Sequence, residues 1–157
     1  DDCLATTSGA RLSDFDMNEK VRIGIIGMGN MGRYHADYLQ AGKVDRCELT
    51  AVCSTSPQKL ESYKPLAIFS DGMELIHSDL VDAVLIATPH YQHAALGIAA
   101  LEAGKHIMVE KPIAAHKADA ERLIAAAEAR PVLVFRAMLQ MRTAQRSRTS
   151  TRLLNNV

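Results

Sequence analysis

Short apolar runs rich in β-branched residues recur along the chain at 21–26, 48–53, 67–69, 82–87, 106–110 and 132–137, lengths that fit strands. Between them lie longer stretches with apolar positions at helical spacing. The segment "MGRYHADYLQAG" closes on Gly42, "YQHAALGIAALEAG" closes on Gly104, and "KADAERLIAAAEAR" stops at Pro131, each a signal that ends a helix. The connection after 48–53 is less regular: Pro57 and Pro65 bracket "QKLESYK", which predicts a short helix, and "DGMELIHS" predicts another. Strands separated by single helices cross over right-handedly into a parallel sheet. The pattern therefore predicts an α/β fold, a doubly wound parallel sheet with helices on both faces.

The two ends lack this pattern. Residues 1–16, "DDCLATTSGARLSDFD", are small and polar with no period and are expected to form a disordered leader, with Met17 just ahead of the first strand. From Thr143 the chain runs "TAQRSRTSTRLLNNV", rich in Arg, Ser and Thr, so 138–157 is expected to be a disordered tail or a truncated interdomain segment.

Composition narrows the classes of function. With 48% of 157 residues apolar, the chain can close one core. Lys plus Arg number 18 and Asp plus Glu number 18, and this balance supplies no general field for nucleic acid or an anionic membrane. The tail arginines, Arg142, Arg146, Arg148 and Arg152, lack interleaved aromatics and read as solvated. Cys3, Cys47 and Cys53 form no CxxC, and Cys53 sits in an apolar run as a small buried hydrophobe, so a reducing cytoplasm is the expected setting. No apolar run approaches the roughly 20 residues that span a bilayer, and the leader has neither the basic start nor the apolar stretch of a signal peptide.

Candidate chemistry gathers where strands end. In "VRIGIIGMGNMGRYH", Gly27, Gly29 and Gly32 form GxGxxG between an apolar run and a helix, with Asn30 and Met31 between the last two glycines. Such a loop permits a tight turn, close backbone approach to a pyrophosphate, and close packing of helix on strand, while the helix N-terminus attracts negative charge. A bare turn or a methyltransferase-like nucleotide site uses the same pattern. At the end of the second strand, "CSTSPQK" places Ser54 where an acid would hold an unmodified ribose; Thr55 and Ser56 stand beside it and Lys59 one turn on. These donors without a carboxylate favour NADP over NAD, although hydroxyls also simply open loops.

The fourth strand ends in "LIATPHYQH", which sets Thr88, Pro89 and His90 at the ligand-bearing edge. His90 and His93 have a spacing that could hold a metal, but no Cys, Asp or Glu cluster completes a ligand set, so no metal is expected. His93 is placed near a nicotinamide ribose, with packing as the plainer role. The fifth strand ends in "HIMVEKPIA", bringing Glu110, Lys111 and Pro112 to the same edge. A lysine beside a bound hydroxyl or carbonyl can donate a hydrogen bond or proton as charge develops on oxygen. A solvated Glu–Lys pair is the plainer alternative.

Together, "GIIGMGNMGRYHADYL" and "VDAVLIATPHYQHAALGIAALEAGKHIMVEKPIA" resemble the N-terminal domain of the Gfo/Idh/MocA family of NAD(P)-dependent oxidoreductases, over about residues 20–140. The second stretch is the more specific. The resemblance implies a Rossmann domain over 17–137, to which the family adds a C-terminal α+β domain, and implies exchange of hydride with a hydroxyl of a sugar, a cyclitol or a related small molecule. By position it implies Gly27, Gly29, Asn30, Met31 and Gly32 at the pyrophosphate and Ser54 with Lys59 at the adenosine ribose. Thr88, Pro89 and His93 would lie along NADP or NAD, and Glu110 and Lys111 at the nicotinamide end. Lys111 matches the family's catalytic lysine. The longer form is expected to be a homo-oligomer. A further acid/base pair comes from the second domain in this family, which this chain does not reach, so little or no activity is expected of it alone. A non-catalytic NAD(P)-binding module or sensor is the alternative.

Overall fold

A computed structural model describes residues 20–138, with the side chains of residues 57–59 outside the description. The elements run β1 (Val21–Ile26), α1 (Asn30–Gln40), β2 (Cys47–Cys53), a 3-10 segment (Pro57–Tyr63), β3 (Ala67–Phe69), α2 (Gly72–His77) and β4 (Ala83–Ile86). A 3-10 turn (His90–Gln92), α3 (His93–Glu102), β5 (His106–Val109), α4 (Lys117–Glu128) and β6 (Phe135–Ala137) follow. The strands pair in the order β3-β2-β1-β4-β5-β6, every neighbouring pair parallel. That is the doubly wound arrangement, in which strand order reverses direction between β1 and β4 and opens a crevice there.

Alternation along the strands divides the core. Ile26, Cys53, Ile86 and Val109 face Leu75, Ile76, Leu101 and Leu123 of α2, α3 and α4. Ile25, Val52 and Leu85 face Ala36 of α1 together with Leu60 and Tyr63. In β2 the register slips beside Ile23/Gly24, so that Leu49, three residues before Val52, joins it on the same face. The extra residue, Thr50, turns its hydroxyl to the Leu80 carbonyl at 2.8 Å.

Helix ends follow the glycine signals. Gly42 and Gly104 take φ of +65° and +75°, the left-handed conformation that lets the chain leave a helix without strain. Two expectations need correction. Residues 57–63 wind as a 3-10 segment, because Leu60 (0% exposed) and Tyr63 (5%) eclipse on one buried face at three residues per turn. The last strand begins at Phe135 instead of 132: Pro131 has no N–H to donate, Leu133 N turns back to Arg130 O, and Val134 N donates to the His106 ring. The expected leader and all but Met138 of the expected tail lie outside the described residues, as do the tail arginines. No helix among the described residues is long and apolar enough to cross a membrane.

At the edge of the sheet where strands begin, Arg22 clasps Asp82. Its Nη2 and Nε reach the two carboxylate oxygens at 2.6 and 3.1 Å, and its main-chain N–H donates to Asp82 as well. These bonds join the starts of β1 and β4 and leave the opposite edge for the site.

Two outcomes test this packing. Leu123 is fully buried against Gly97, where an added Cβ would stand 2.8 Å from its Cδ1. Leu123→Ala should cost about 2–5 kcal/mol in urea unfolding, and a loss well under ~1 kcal/mol would contradict the α3–α4 contact. The Arg22 hydrogen bonds hold the Asp82 carboxyl below its usual range against the opposing effect of burial. A depressed folded value stabilises above the unfolded carboxyl pKa of about 3.9 and the stabilisation is lost as pH falls through the folded value. The Tm of Asp82→Asn should therefore lie below wild type at neutral pH and converge with it on acidification; parallel curves would remove Asp82 from the clasp.

Candidate functional site

A row of main-chain bonds beyond the strand ends fixes the site's edge. Ser54 N donates to Phe69 O, Gly27 N to Cys53 O, Ala87 N to Ile26 O, Glu110 N to Ile86 O and Met138 N to Val109 O, all at 2.8–3.1 Å. The residues leaving β1, β2, β4 and β5 are thus held side by side. Between them opens a crevice of about 1220 Å³ whose wall includes Gly27, Gly29, Asn30, Met31, Ser54, Thr88 and Pro89. Gly32, His93, Glu110 and Lys111 are not part of that wall.

The three loop glycines have different reasons to be glycine. Gly27 has φ +97° and its Cβ would stand 2.7 Å from the main chain of Ala87 and Thr88. A Cβ on Gly32 would overlap the Gly27 carbonyl oxygen. The fold requires both. An added Cβ at Gly29 meets nothing within 4 Å, and Gly29 is exposed at the N-cap of α1. No side chain caps α1 and no acid stands in its first turn, so the N-terminal amides are open to an anion. Inside the wall, Thr88 Oγ1 is buried without a hydrogen-bond partner, as no other described side-chain atom is. An open helix end, an unfilled cradle at Gly29 and an orphaned hydroxyl together fit a dinucleotide with its pyrophosphate at α1.

At the far end of the crevice, Ser54 Oγ accepts from Ser56 N at 3.2 Å and keeps its own O–H to donate, while Thr55 is exposed. The side chain of Lys59 lies outside the described residues. An acid that the sequence reading passed over, Asp71, also lines this end. Its carboxylate caps α2, accepting from Met73 N at 2.6 Å, and a search for caps after the third strand would have found it. Burial, then the charges of Asp71 and Glu74, push the Cys53 thiol up to about 11, so it stays a protonated core side chain.

The Glu110–Lys111 pair of the sequence separates in space. Glu110 is 5% exposed and Lys111 is exposed, as alternation at a strand end dictates. Glu110 Oε1 takes His35 Nε2 of α1 at 2.7 Å, and its Oε2 accepts from Lys111 N at 3.1 Å. No ion pair to the Lys111 ammonium occurs among the described residues. The solvated Glu–Lys pair is therefore replaced by a buried Glu–His pair beneath an available lysine. His93 is 1% exposed, with Nδ1 2.8 Å from Pro112 O and Nε2 2.8 Å from Thr88 O, and so ties the ends of β4 and β5 together. His90 is exposed, and no group of three His, Cys, Asp or Glu among the described residues could hold a metal.

Residues 21–138 match the family described as an oxidoreductase family with an NAD-binding Rossmann fold. An inositol 2-dehydrogenase of Rubrobacter xylanophilus is 36% identical over 114 residues, 71% of this chain and 32% of that protein. A scyllo-inositol 2-dehydrogenase (NADP(+)) of Bacillus subtilis is 34% identical over 102 residues, 62% of this chain and 31% of that protein. The chain thus spans about a third of the length of these curated relatives. The solved scyllo-inositol dehydrogenase of Lactobacillus casei with bound NAD(H) and scyllo-inositol superposes with a TM-score of 0.83 at 28% identity, covering 88% of this chain and 42% of that one. A glycine cradle and an EKP corner on one sheet edge, matched along the whole described sheet, admit one assignment: the chain belongs to the Gfo/Idh/MocA oxidoreductases and carries their NAD-binding Rossmann domain.

Proposed function

We propose that this chain is the nucleotide-binding part of an NAD(P)-dependent oxidoreductase acting on a hydroxyl or carbonyl of a sugar, a cyclitol or a similar small molecule in the cytoplasm. One observation carries the reading: the open cradle at Gly29 and the unpaired ammonium of Lys111 leave the same edge of one parallel sheet, on strands that flank β4. A nicotinamide dinucleotide bound in the crevice supplies hydride donor or acceptor chemistry. The chain's own residues do the rest. The α1 amides of Asn30 and Met31 hold the pyrophosphate against the helix dipole. Thr88 Oγ1, otherwise partnerless, donates to or accepts from the dinucleotide along the crevice wall. Lys111 donates to the substrate oxygen as negative charge develops there, and takes the proton of an alcohol in the reverse direction. His93 and Glu110, both buried, hold the strand ends that carry Thr88 and Lys111.

NADP is the proposed preference. Ser54 and Thr55 offer hydroxyl donors at the end of β2 with no carboxylate among residues 54–56, and the Asp71 carboxylate is committed to capping α2. The Bacillus subtilis relative carries NADP(+) in its name, and the Lactobacillus casei structure shows that the same fold also holds NAD(H).

Calorimetry on the chain with each dinucleotide tests cradle and preference together. NADP should bind more tightly than NAD, and Ser54→Asp should move the ratio toward NAD by ~10-fold or more. Gly29→Ala should leave thermal stability within about 0.5 kcal/mol, because the new methyl meets no atom, yet weaken binding at least ~10-fold. Equal loss of stability and binding, or binding of neither dinucleotide, would reject the site.

Turnover is the second test. Lys111 stands exposed, so the chain alone neither orients substrate over it nor excludes water, and proximity in a closed site is worth roughly 7–11 kcal/mol. Absorbance of the reduced nicotinamide, followed over a panel of inositols and sugars, should show a slow rate at most. Any rate present should disappear in Lys111→Ala; turnover that survives this change would remove Lys111 from the chemistry.

A further inference from the structure

Lys111 donates usefully only while its ammonium is not already neutralised by a neighbouring carboxylate. The adjacent residue is an acid, and its Oε2 accepts from the Lys111 main-chain nitrogen at 3.1 Å, which keeps the carboxylate beside the residue that carries the ammonium. What occupies the other carboxylate oxygen is a residue distant in sequence. His35 stands on α1, one turn beyond Gly32, and its side chain is 12% exposed against 6% for Glu110. Because a carboxylate accepts, His35 Nε2 must carry the proton and donate across the 2.7 Å contact. With Oε1 held by His35 and Oε2 by the Lys111 amide, both carboxylate oxygens are occupied, and neither forms an ion pair with the Lys111 ammonium.

We propose that His35 is a positioning residue for Lys111: by occupying the Glu110 carboxylate, it keeps that carboxylate off the lysine ammonium and leaves the ammonium to a substrate oxygen. The inference rests on the proposed role of Lys111 and extends it to a residue of the cofactor-cradle helix. The helix that begins at the pyrophosphate site thereby also sets the state of the reactive corner. The other titratable group bonded at this corner is His93 of α3, which both Pro112 O and Thr88 O engage, so it does not compete for Glu110. The ring of Tyr34 makes a T-shaped contact with His35, with centroids 5.6 Å apart.

The test follows Lys111 directly in the full chain. Lysines are reductively methylated with carbon-13 formaldehyde, and the Lys111 signal is identified by its absence in Lys111→Arg. In His35→Ala the signal should titrate at higher pH than in wild type, since a freed carboxylate beside the amine favours its charged form. His35→Gln, which keeps a donor at similar reach, should return the titration toward wild type. Adding Glu110→Gln to His35→Ala should abolish the shift, because no carboxylate remains. A residue that merely supports the fold predicts additive losses in Tm with no such sign and no rescue. An unchanged Lys111 titration in folded His35→Ala would overturn the inference; should that variant fail to fold, His35→Leu, which fills the helix position without a donor, takes its place, and an unchanged titration there would do so. Cofactor calorimetry on the same samples separates the two failures. A wild-type chain that binds no dinucleotide fails the proposed function while the titration difference still stands, and a binding chain with no titration difference fails this inference alone.

Discussion

The passage of Gly32 beneath the carbonyl of Gly27 is the constraint on which the rest of the site depends. No side chain fits between them, so α1 starts close against the end of β1 and its first amides face the crevice. One turn later the same trajectory delivers His35 to Glu110, more than seventy residues away in sequence, and Glu110 is the residue before Lys111. The geometry of the Glu110–Lys111 corner is thus inherited from a van der Waals contact in the glycine loop. Of the loop's three glycines, two answer to contacts within the fold, and only at Gly29 would a Cβ meet no atom of the chain.

The sheet transmits this arrangement because it is parallel throughout. All six strands end along one edge, and the row of bonds from Ser54 to Met138 locks their exits in register. The clasp of Arg22 on Asp82 works at the opposite edge, where it stabilises the switch between β1 and β4 without using any group that the crevice needs. His93 adds a second fastening at the ligand edge, between the carbonyls of Thr88 and Pro112. The Arg22–Asp82 clasp and the crevice are placed on different edges of one sheet.

Much of this was legible in the sequence because strands covered on both faces read as unbroken apolar runs, and because Gly42 and Gly104 end their helices in a conformation that glycine adopts easily. The seven residues from Pro57 misled because a run too short for two α-turns buries Leu60 and Tyr63 by 3-10 spacing instead. Val132 read as strand from its side chain, yet it is 85% exposed in the turn that Pro131 imposes. At the site, neighbours in sequence were taken for neighbours in space. Glu110 is buried while Lys111 is exposed, and the acid's partner, His35, belongs to α1, far away in the sequence. A buried acid must be compensated, and asking which donor reaches Glu110 is the signal that would have found it. Asp71 escaped for a similar reason, since it caps α2 just after β3 while the expected acid belongs to the end of β2.

The central claim is that one dinucleotide lies across the switch between β1 and β4, from Ser54 past Gly29 to Lys111. Amide nitrogen-15 spectra of the chain titrated with reduced NADP test it most directly. The account predicts saturable shifts confined to the amides of Gly29 to Gly32, Ser54 to Ser56, Thr88 and Lys111, with the Arg22–Asp82 end unmoved. Shifts clustered elsewhere, or none at these positions while ligand binds, would contradict it.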